Sequence, residues 1–321
     1  MVAPVGAAPG PRVSMPGEAG CDTRAMRVAF LGLGLIGGSI VRALRRDVGE
    51  RADEPWSIVA WSPSGEGPAA ALADGVIDAA AATPEAAIGG ADLVVLAGPA
   101  PVVLDSLDEL AGAWREALAA DAVITDVAST KAAIVLRATA LGLRFVGGHP
   151  MAGREASGYS ASSADLFVDR PWVVVPCGDE AADERVERLA AAAGARVQRM
   201  SATIHDEAVA AISHLPLVVA AALVEAVAGT GHDAPRDGWS AAAGLAASGW
   251  WDTTRLARGD VDMGAGIIST NAPAIATRLR DLVAVLEDWL TDLEGLGDQD
   301  GDHIAVRLAD ARARLEATPR R

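Results

Sequence analysis

The sequence has few cysteines and no long uninterrupted apolar run. Cys21 and Cys177 are its only thiols among 321 residues, too few for a disulfide framework and wrongly spaced for a metal site. This cysteine usage predicts a reducing, cytoplasmic location. Segment 1–25 lacks the apolar core of a secretory signal, and we predict that it is a disordered leader. Pro216 and Glu225 interrupt the most apolar stretch, so no transmembrane helix is predicted.

Positive charge is also scarce. The chain has 27 basic and 43 acidic residues and a formal net charge of −16, which argues against a broad surface for nucleic acid or anionic lipid. We therefore expect neither a nucleic-acid partner nor a membrane. Lys131 is the only lysine, and every other basic residue is arginine. A bias toward arginine codons explains the scarcity of lysine but not the position of the one that remains.

The length and composition fit a globular protein of two domains, with 51% hydrophobic and 22% charged residues. From residue 26 to 201, short apolar runs alternate with alanine-rich helical stretches, which predicts β-α units and a mostly parallel sheet. Beyond residue 201 the pattern predicts only helices. The predicted strands are 27–31, 57–61, 92–96, 122–125, 144–146, 172–175 and 196–200; the predicted helices of the second half are 203–229, 235–247, 250–258, 271–294 and 302–317.

A glycine-rich loop follows the first predicted strand. Gly32, Gly34 and Gly37 have the GxGxxG spacing that permits a tight turn, a close approach to a pyrophosphate and close helix packing. The helix that begins near Leu35 and Ile36 offers its N-terminus to the phosphates. These features predict a Rossmann-type, doubly wound dinucleotide-binding domain over residues 26–201, followed by an all-α domain over 202–321.

The adenosine end of this cofactor site leaves the choice of nucleotide open. Ser62 occupies the position where an acidic residue binds the ribose of NAD, and no arginine follows to bind the 2′-phosphate of NADP. Both cofactors are therefore compatible with the sequence.

Two further segments follow the fourth and fifth predicted strands, at the sheet edge where ligands bind. One has the DxxSxK pattern of Asp126, Ser129 and Lys131, and the other is GGHPMAGRE, which contains His149. A histidine at that edge suits a general base, although a structural or surface histidine is about as frequent. Ser129 suits a hydrogen bond to His149 and, equally, the N-cap of a helix over 130–141.

The order and spacing of five segments resemble the prephenate/arogenate dehydrogenase family of tyrosine biosynthesis. These segments are GLGLIGGS, DxxSxK, GGHPMAGRE, SHLP at 213–216 and DTTR at 252–255. The resemblance implies an NAD(P)-dependent oxidoreductase with a Rossmann domain and a helical dimerisation domain, hence a homodimer. It implies that His149 takes the proton of the ring hydroxyl while hydride passes to the nicotinamide and the ring carboxylate leaves as CO2.

The same resemblance implies roles for further residues. Ser129 is expected to orient His149, and Arg255 to hold a substrate carboxylate, for which a bidentate donor is suited. Further predicted contacts to the substrate are Glu155, Arg154, His214 and Lys131. His205 and Asp206 begin the long helix predicted over 203–229 and are instead expected to be capping and packing residues, not catalytic ones.

Two departures from the family pattern leave the substrate side chain open. Many relatives have a second histidine where this chain has Leu217, and often a tryptophan where it has Gly264, in a predicted loop over 259–268.

Oxidation of prephenate to 4-hydroxyphenylpyruvate is the leading prediction, and oxidation of arogenate to tyrosine is the close alternative. A non-catalytic nucleotide-binding protein is a more distant alternative. The absence of lysine after Ser201 counts against β-hydroxyacid reductases.

Overall fold

The fold was analysed in a computed structural model that describes residues 25–47, 56–154, 156–231, 235–295 and 302–318. The predicted leader, apart from residue 25, and the predicted substrate contact Glu155 lie outside the described residues.

One sheet of eight strands organises the first half of the chain, in the order β3-β2-β1-β4-β5-β6-β7-β8. All neighbours are parallel except β6 and β7, which are antiparallel. The doubly wound α/β prediction is confirmed. The strands are β1 Met26–Leu31, β2 Trp56–Trp61, β3 Ala79–Ala80, β4 Leu93–Leu96, β5 Val123–Asp126, β6 Phe145–Pro150, β7 Pro171–Val175 and β8 Arg196–Arg199.

The central strands are buried along their whole length because helices cover both faces of the sheet. β4 is buried at every position, as is β5. One core cluster contains Phe30 and Trp172, and a second contains Ile88 and Leu110. The helices of this half are α1 Leu35–Asp47, α2 Glu66–Ala73, α3 Pro84–Ile88, α4 Ala100–Ala111, α5 Ala132–Ala140 and α6 Glu180–Ala192. The sequence did not predict β3, which has only two residues, both alanine.

The second half is helical in its described part. Its helices are α7 Ala202–Val209, α8 Leu215–Ala228, α9 Trp239–Ala243, α10 Ser248–Thr253, α11 Val261–Thr270, α12 Ala272–Glu294 and α13 Asp302–Glu316, with a 3-10 turn at Arg255–Arg258. The predicted loop over 259–268 is wrong, because Asp260 accepts a hydrogen bond from the backbone N of Met263 at 2.8 Å and so begins α11. The predicted helix over 235–247 is reduced to the five residues of α9.

A π turn, Ala210–His214, joins α7 and α8 into one helical run, Ala202–Ala228. Pro216 does not interrupt this run because it lies in the first turn of α8, where a proline is tolerated. By length and composition alone the run could cross a membrane, with a mean hydropathy of 1.9, a test that core helices also pass. Only 22% of the most apolar part of this run is buried within the chain. Most of that part is therefore exposed and available for contact with another surface.

Candidate active site and its relatives

The three glycines of the dinucleotide loop have different surroundings. A Cβ on Gly32, whose φ is +97°, would lie 2.8 Å from the carbonyl oxygen of Ala97, and a Cβ on Gly37 would lie 2.9 Å from that of Gly32. Gly34 has nothing within 4 Å of its Cβ position. Gly32 and Gly37 therefore serve the turn and the packing of α1, whereas the space beside Gly34 is open to a ligand.

Ser62 lies directly after β2, which is the neighbour of β1, the strand that this loop follows. The backbone N of Gly32 donates to the carbonyl of Trp61 at 2.8 Å, so the loop and the end of β2 are in contact. The Oγ of Ser62 is buried and has no hydrogen-bond partner in the described residues. An unpaired buried hydroxyl beside an open glycine loop fits the ribose of a bound dinucleotide.

His149 lies near the end of β6, and its half-buried ring contacts another histidine. Its Nδ1 is 2.8 Å from Nε2 of His205, with the two ring planes at 78°. The expected bond from Ser129 is absent from the described residues, and Ser129 does not cap α5 with its side chain either. Neither of the two hydrogen bonds expected of Ser129 is present among the described residues, and its role beside His149 stays a prediction.

Asp206 supplies the cap that Ser129 does not. Its carboxylate accepts hydrogen bonds from the backbone N of Lys131 and of Ala132, each at 2.8 Å, at the N-terminus of α5. The same carboxylate lies 2.7 Å from Nδ1 of His205. Burial raises the pKa of Asp206, but the bonds from His205 and the two amides outweigh it and lower the pKa. The carboxylate therefore stays ionised, and Asp206 is a capping residue as expected, although the helix that it caps is α5 and not its own.

The surroundings of His149 favour its neutral form. Burial lowers its pKa well below 6.5, and the neighbouring groups His205, Lys131 and His214 act in the same direction. A neutral imidazole with one nitrogen occupied by His205 retains its other nitrogen, Nε2, for a further contact.

Lys131 lies inside the protein rather than at a substrate surface. Its Nζ donates to Oδ2 of Asp126, and both side chains are fully buried. Asp126 also accepts from the backbone N of Gly148 at 3.0 Å, one residue before His149. Burial lowers the pKa of Lys131 and raises that of Asp126, while their mutual attraction opposes both shifts. The prediction that Lys131 contacts the substrate is not supported, since its ammonium group is enclosed and paired.

His214 ends the π turn and is buried. Its Nδ1 lies 3.1 Å from Nδ2 of Asn271, which also donates to the backbone carbonyl of Asp206 at 2.9 Å. That second bond identifies the atom facing His214 as the amide nitrogen, so Nδ1 of His214 is an acceptor and its proton lies on Nε2. Burial lowers the pKa of His214 to about 4, and its Nε2 has no partner in the described residues.

A cavity of about 440 Å³, which we call the arginine cavity, lies beside His214. It brings Arg154 and Arg255, both predicted, together with Arg258, which the sequence analysis missed. His214 also lines it, whereas His149 is not among its described lining residues. Its remaining lining residues are Ala156, Ser157, Ser213, Leu217, Leu256, Gly259, Asp260, Met263, Gly264 and Ile267.

Known protein families match both halves of this architecture. A family model described as the nucleotide-binding domain of prephenate dehydrogenase matches residues 50–199, and one described as its dimerization domain matches residues 201–309. The chain belongs to the prephenate dehydrogenase family. The resemblance inferred from the five sequence segments is thereby confirmed, as is the assignment to the NAD(P)-dependent dehydrogenases.

Individual members of the prephenate dehydrogenase family are similar to this chain over most of its length. The prephenate dehydrogenase of Bacillus subtilis is 32% identical over 92% of this chain and 76% of its own. The structure of prephenate dehydrogenase from A. aeolicus with hydroxyphenyl propionate and NAD+ is 26% identical, with a TM-score of 0.76 over 90% and 98% of the two chains. The structure of Synechocystis arogenate dehydrogenase is 29% identical, with a TM-score of 0.72 over 90% and 100%.

Proposed function

We propose that this protein oxidises prephenate to 4-hydroxyphenylpyruvate and CO2, with His149 as the general base. The observation that carries the proposal is the position of His149 at the carboxyl end of β6, held by His205 and near His214, which lines the arginine cavity. Bound NAD(P)+ supplies the acceptor for the hydride.

The chemical task of the protein is to remove a proton and to hold two carboxylates. Nε2 of His149 takes the proton of the ring hydroxyl as the C4–H bond breaks and its electron pair leaves as hydride. The C4 carbonyl forms, the bond from the ring to its carboxylate breaks, and CO2 leaves. The electron pair of that bond makes the ring aromatic and moves charge onto the C4 oxygen, which takes the proton back from Nε2 of His149 to give the phenol. His149 suits this task because its neutral form persists below pH 6.5.

The arginine cavity favours prephenate over arogenate. Prephenate carries two carboxylates, and Arg154, Arg255 and Arg258 provide cationic groups for them. His214 adds a neutral N–H donor that fits a carboxylate or keto oxygen. The ammonium group of arogenate would instead meet the positive charge of these three arginines, with Asp260 as the one acidic residue among the described lining residues. The preference for prephenate is therefore electrostatic.

NAD+ is the proposed cofactor, with NADP+ as the alternative. The segment after β2, from Ser62 to Gly67, contains no basic residue, and Glu66 begins α2 there. A 2′-phosphate would face a carboxylate without a cation, whereas the buried hydroxyl of Ser62 is available to a ribose hydroxyl.

A homodimer and a cytoplasmic location complete the proposal. Among the described residues beyond Ser201, only Val209, Ala210, Ala220 and Ile275 are buried hydrophobic residues. α12 exposes Val283, Leu286 and Leu290 by about half of their surface, and such an apolar face fits a contact with a second copy. A monomer at micromolar concentration in sedimentation experiments would contradict this part.

The assay follows the absorbance of reduced nucleotide with each pairing of prephenate or arogenate and NAD+ or NADP+. We expect prephenate with NAD+ to give the highest kcat/KM. His149→Ala should lower kcat by at least about 100-fold, while the affinity for NAD+, measured by titration, stays unchanged. Normal turnover of this variant would refute the role of His149, and higher kcat/KM with arogenate would refute the substrate preference.

Arg255→Ala is expected mainly to raise KM for prephenate, because a carboxylate contact made in both ground and transition states is lost. Arg46→Ala is a matched control, since Arg46 pairs with Asp165 on the surface of the first half and does not line the arginine cavity. An unchanged KM in Arg255→Ala would remove that residue from the site.

A further inference from the structure

We propose that His205 and Asp206 are positioning residues that fix the proton of His149 on Nδ1 and leave Nε2 as the base. The proposal rests on the proposed role of His149. It adds two residues that act through that base and do not touch the substrate.

The direction of this hydrogen-bond chain follows from its last member. The carboxylate of Asp206 is an acceptor only, so Nδ1 of His205, at 2.7 Å, is the donor. In neutral His205 the other nitrogen, Nε2, is then an acceptor. Nδ1 of His149, at 2.8 Å from that atom, is consequently the donor in the second bond. The single proton of neutral His149 is therefore on Nδ1, and its lone pair is on Nε2.

Asp206 is held firmly enough to impose this direction. Its two carboxylate oxygens accept from the backbone N of Lys131 and of Ala132, and its backbone carbonyl accepts from Asn271. The ring of His205 and the side chain of Asp206 are both almost completely buried. Two separate segments of the chain thus fix the acceptor that orients both rings.

The arrangement also serves the charged state of the base. When Nε2 of His149 accepts the substrate proton, the imidazolium keeps its Nδ1–H directed at His205, which is itself polarised by Asp206. The negative charge of Asp206 thereby stabilises the positive charge that develops on His149. Proton transfer beyond His149 is not required.

The tautomer is measurable without any catalytic activity. In a ¹⁵N-labelled sample at neutral pH, long-range ¹H–¹⁵N correlation spectra distinguish protonated from unprotonated ring nitrogens of the five histidines. The His149 signals are assigned by their loss in His149→Ala. We expect Nδ1 of His149 to be protonated and Nε2 to be unprotonated; the opposite pattern would overturn the proposal.

Kinetics separate positioning from a general structural role. His205→Leu removes the acceptor and should lower kcat by roughly 10- to 100-fold, the usual effect of losing an orienting partner, with little change in KM for prephenate. His205→Gln offers an amide oxygen to Nδ1 of His149 and should recover much of that loss. His303→Leu is the matched control, because His303 pairs with Asp292 at 3.0 Å between α12 and α13; it should keep normal kcat.

Three outcomes would overturn the proposal in these variants: unchanged kcat in a folded His205→Leu, an equal loss in the Leu and Gln variants, or an unchanged His149 tautomer in both. Failure of the proposed function has a different signature. In that case the wild-type protein does not turn over prephenate or arogenate, whereas the ring-nitrogen spectra still report the tautomer.

Discussion

The buried pair of Lys131 and Asp126 allows a quantitative test of what holds β6 in place. Lys131→Met keeps a similar length and apolar stem but removes the ammonium group that pairs with Oδ2 of Asp126. The carboxylate then remains fully buried with only the backbone N–H groups of Gly148 and Ala128 as donors. Breaking a buried ion pair on one side usually costs about 3–5 kcal/mol of unfolding free energy. At about 2–4 °C per kcal/mol, this corresponds to a fall in Tm of roughly 6–20 °C.

The loss in Lys131→Met is also expected to depend on pH. Without the charge of Lys131, burial raises the pKa of Asp126 further above its unfolded value of about 3.9. The folded state then binds a proton that the unfolded state releases, so stability falls as pH rises from about 4 to that raised pKa. The slope is at most about 1.4 kcal/mol per pH unit. Between pH 8 and pH 5, up to about 4 kcal/mol of the loss is therefore recoverable by protonation.

Differential scanning calorimetry of wild type and variant, at equal protein concentration and at pH 5 and pH 8, measures both effects. The double variant Asp126→Asn, Lys131→Met removes the buried charge and should melt above the single variant at pH 8. Arg137→Met breaks an exposed pair with Asp108 and serves as a control with little change in Tm. A Tm of Lys131→Met equal to that of wild type, or a larger loss at pH 5 than at pH 8, would refute the reasoning.

Three further predictions concern the site itself. Because the pKa of His149 is lowered by burial, the acid limb of kcat/KM should lie below pH 6.5, and a limb at or above that value would contradict the assignment. Gly34→Ala adds a methyl group to open space and should weaken NAD+ binding at unchanged Tm; equal affinity in a fluorescence titration would count against the cofactor site. A Cβ on Gly148 would lie 2.5 Å from the carbonyl oxygen of Asp126, so Gly148→Ala should lose both turnover and stability. Gly249→Ala has nothing within 4 Å and should lose neither, and a fully active Gly148→Ala would show that β6 has room to move.

The local patterns of the chain were sufficient for the fold class and for the approximate positions of the strands, although β6 ends at Pro150, four residues beyond the predicted end, and so contains His149. Apolar runs that fit strands covered on both faces, and a glycine loop between the first strand and helix, predicted the sheet and the dinucleotide site. Such signals are carried by adjacent residues, so they are readable without a structure. They failed where an element is very short, as in β3, or where a cap such as Asp260 begins a helix in a segment expected to be a loop.

The sequence by itself determined the family, the doubly wound sheet and the position of His149 at the end of β6. The partners of that histidine were decided only by the tertiary structure, since His205 lies 56 residues away on α7 and Asp206 caps a helix of the other half. The sequence placed Lys131 beside the substrate, but folding enclosed it with Asp126. Motifs specify which side chains reach the sheet edge, because neighbours in the chain stay neighbours in space. Burial and hydrogen-bond direction arise from contacts between distant segments, and no local pattern encodes them.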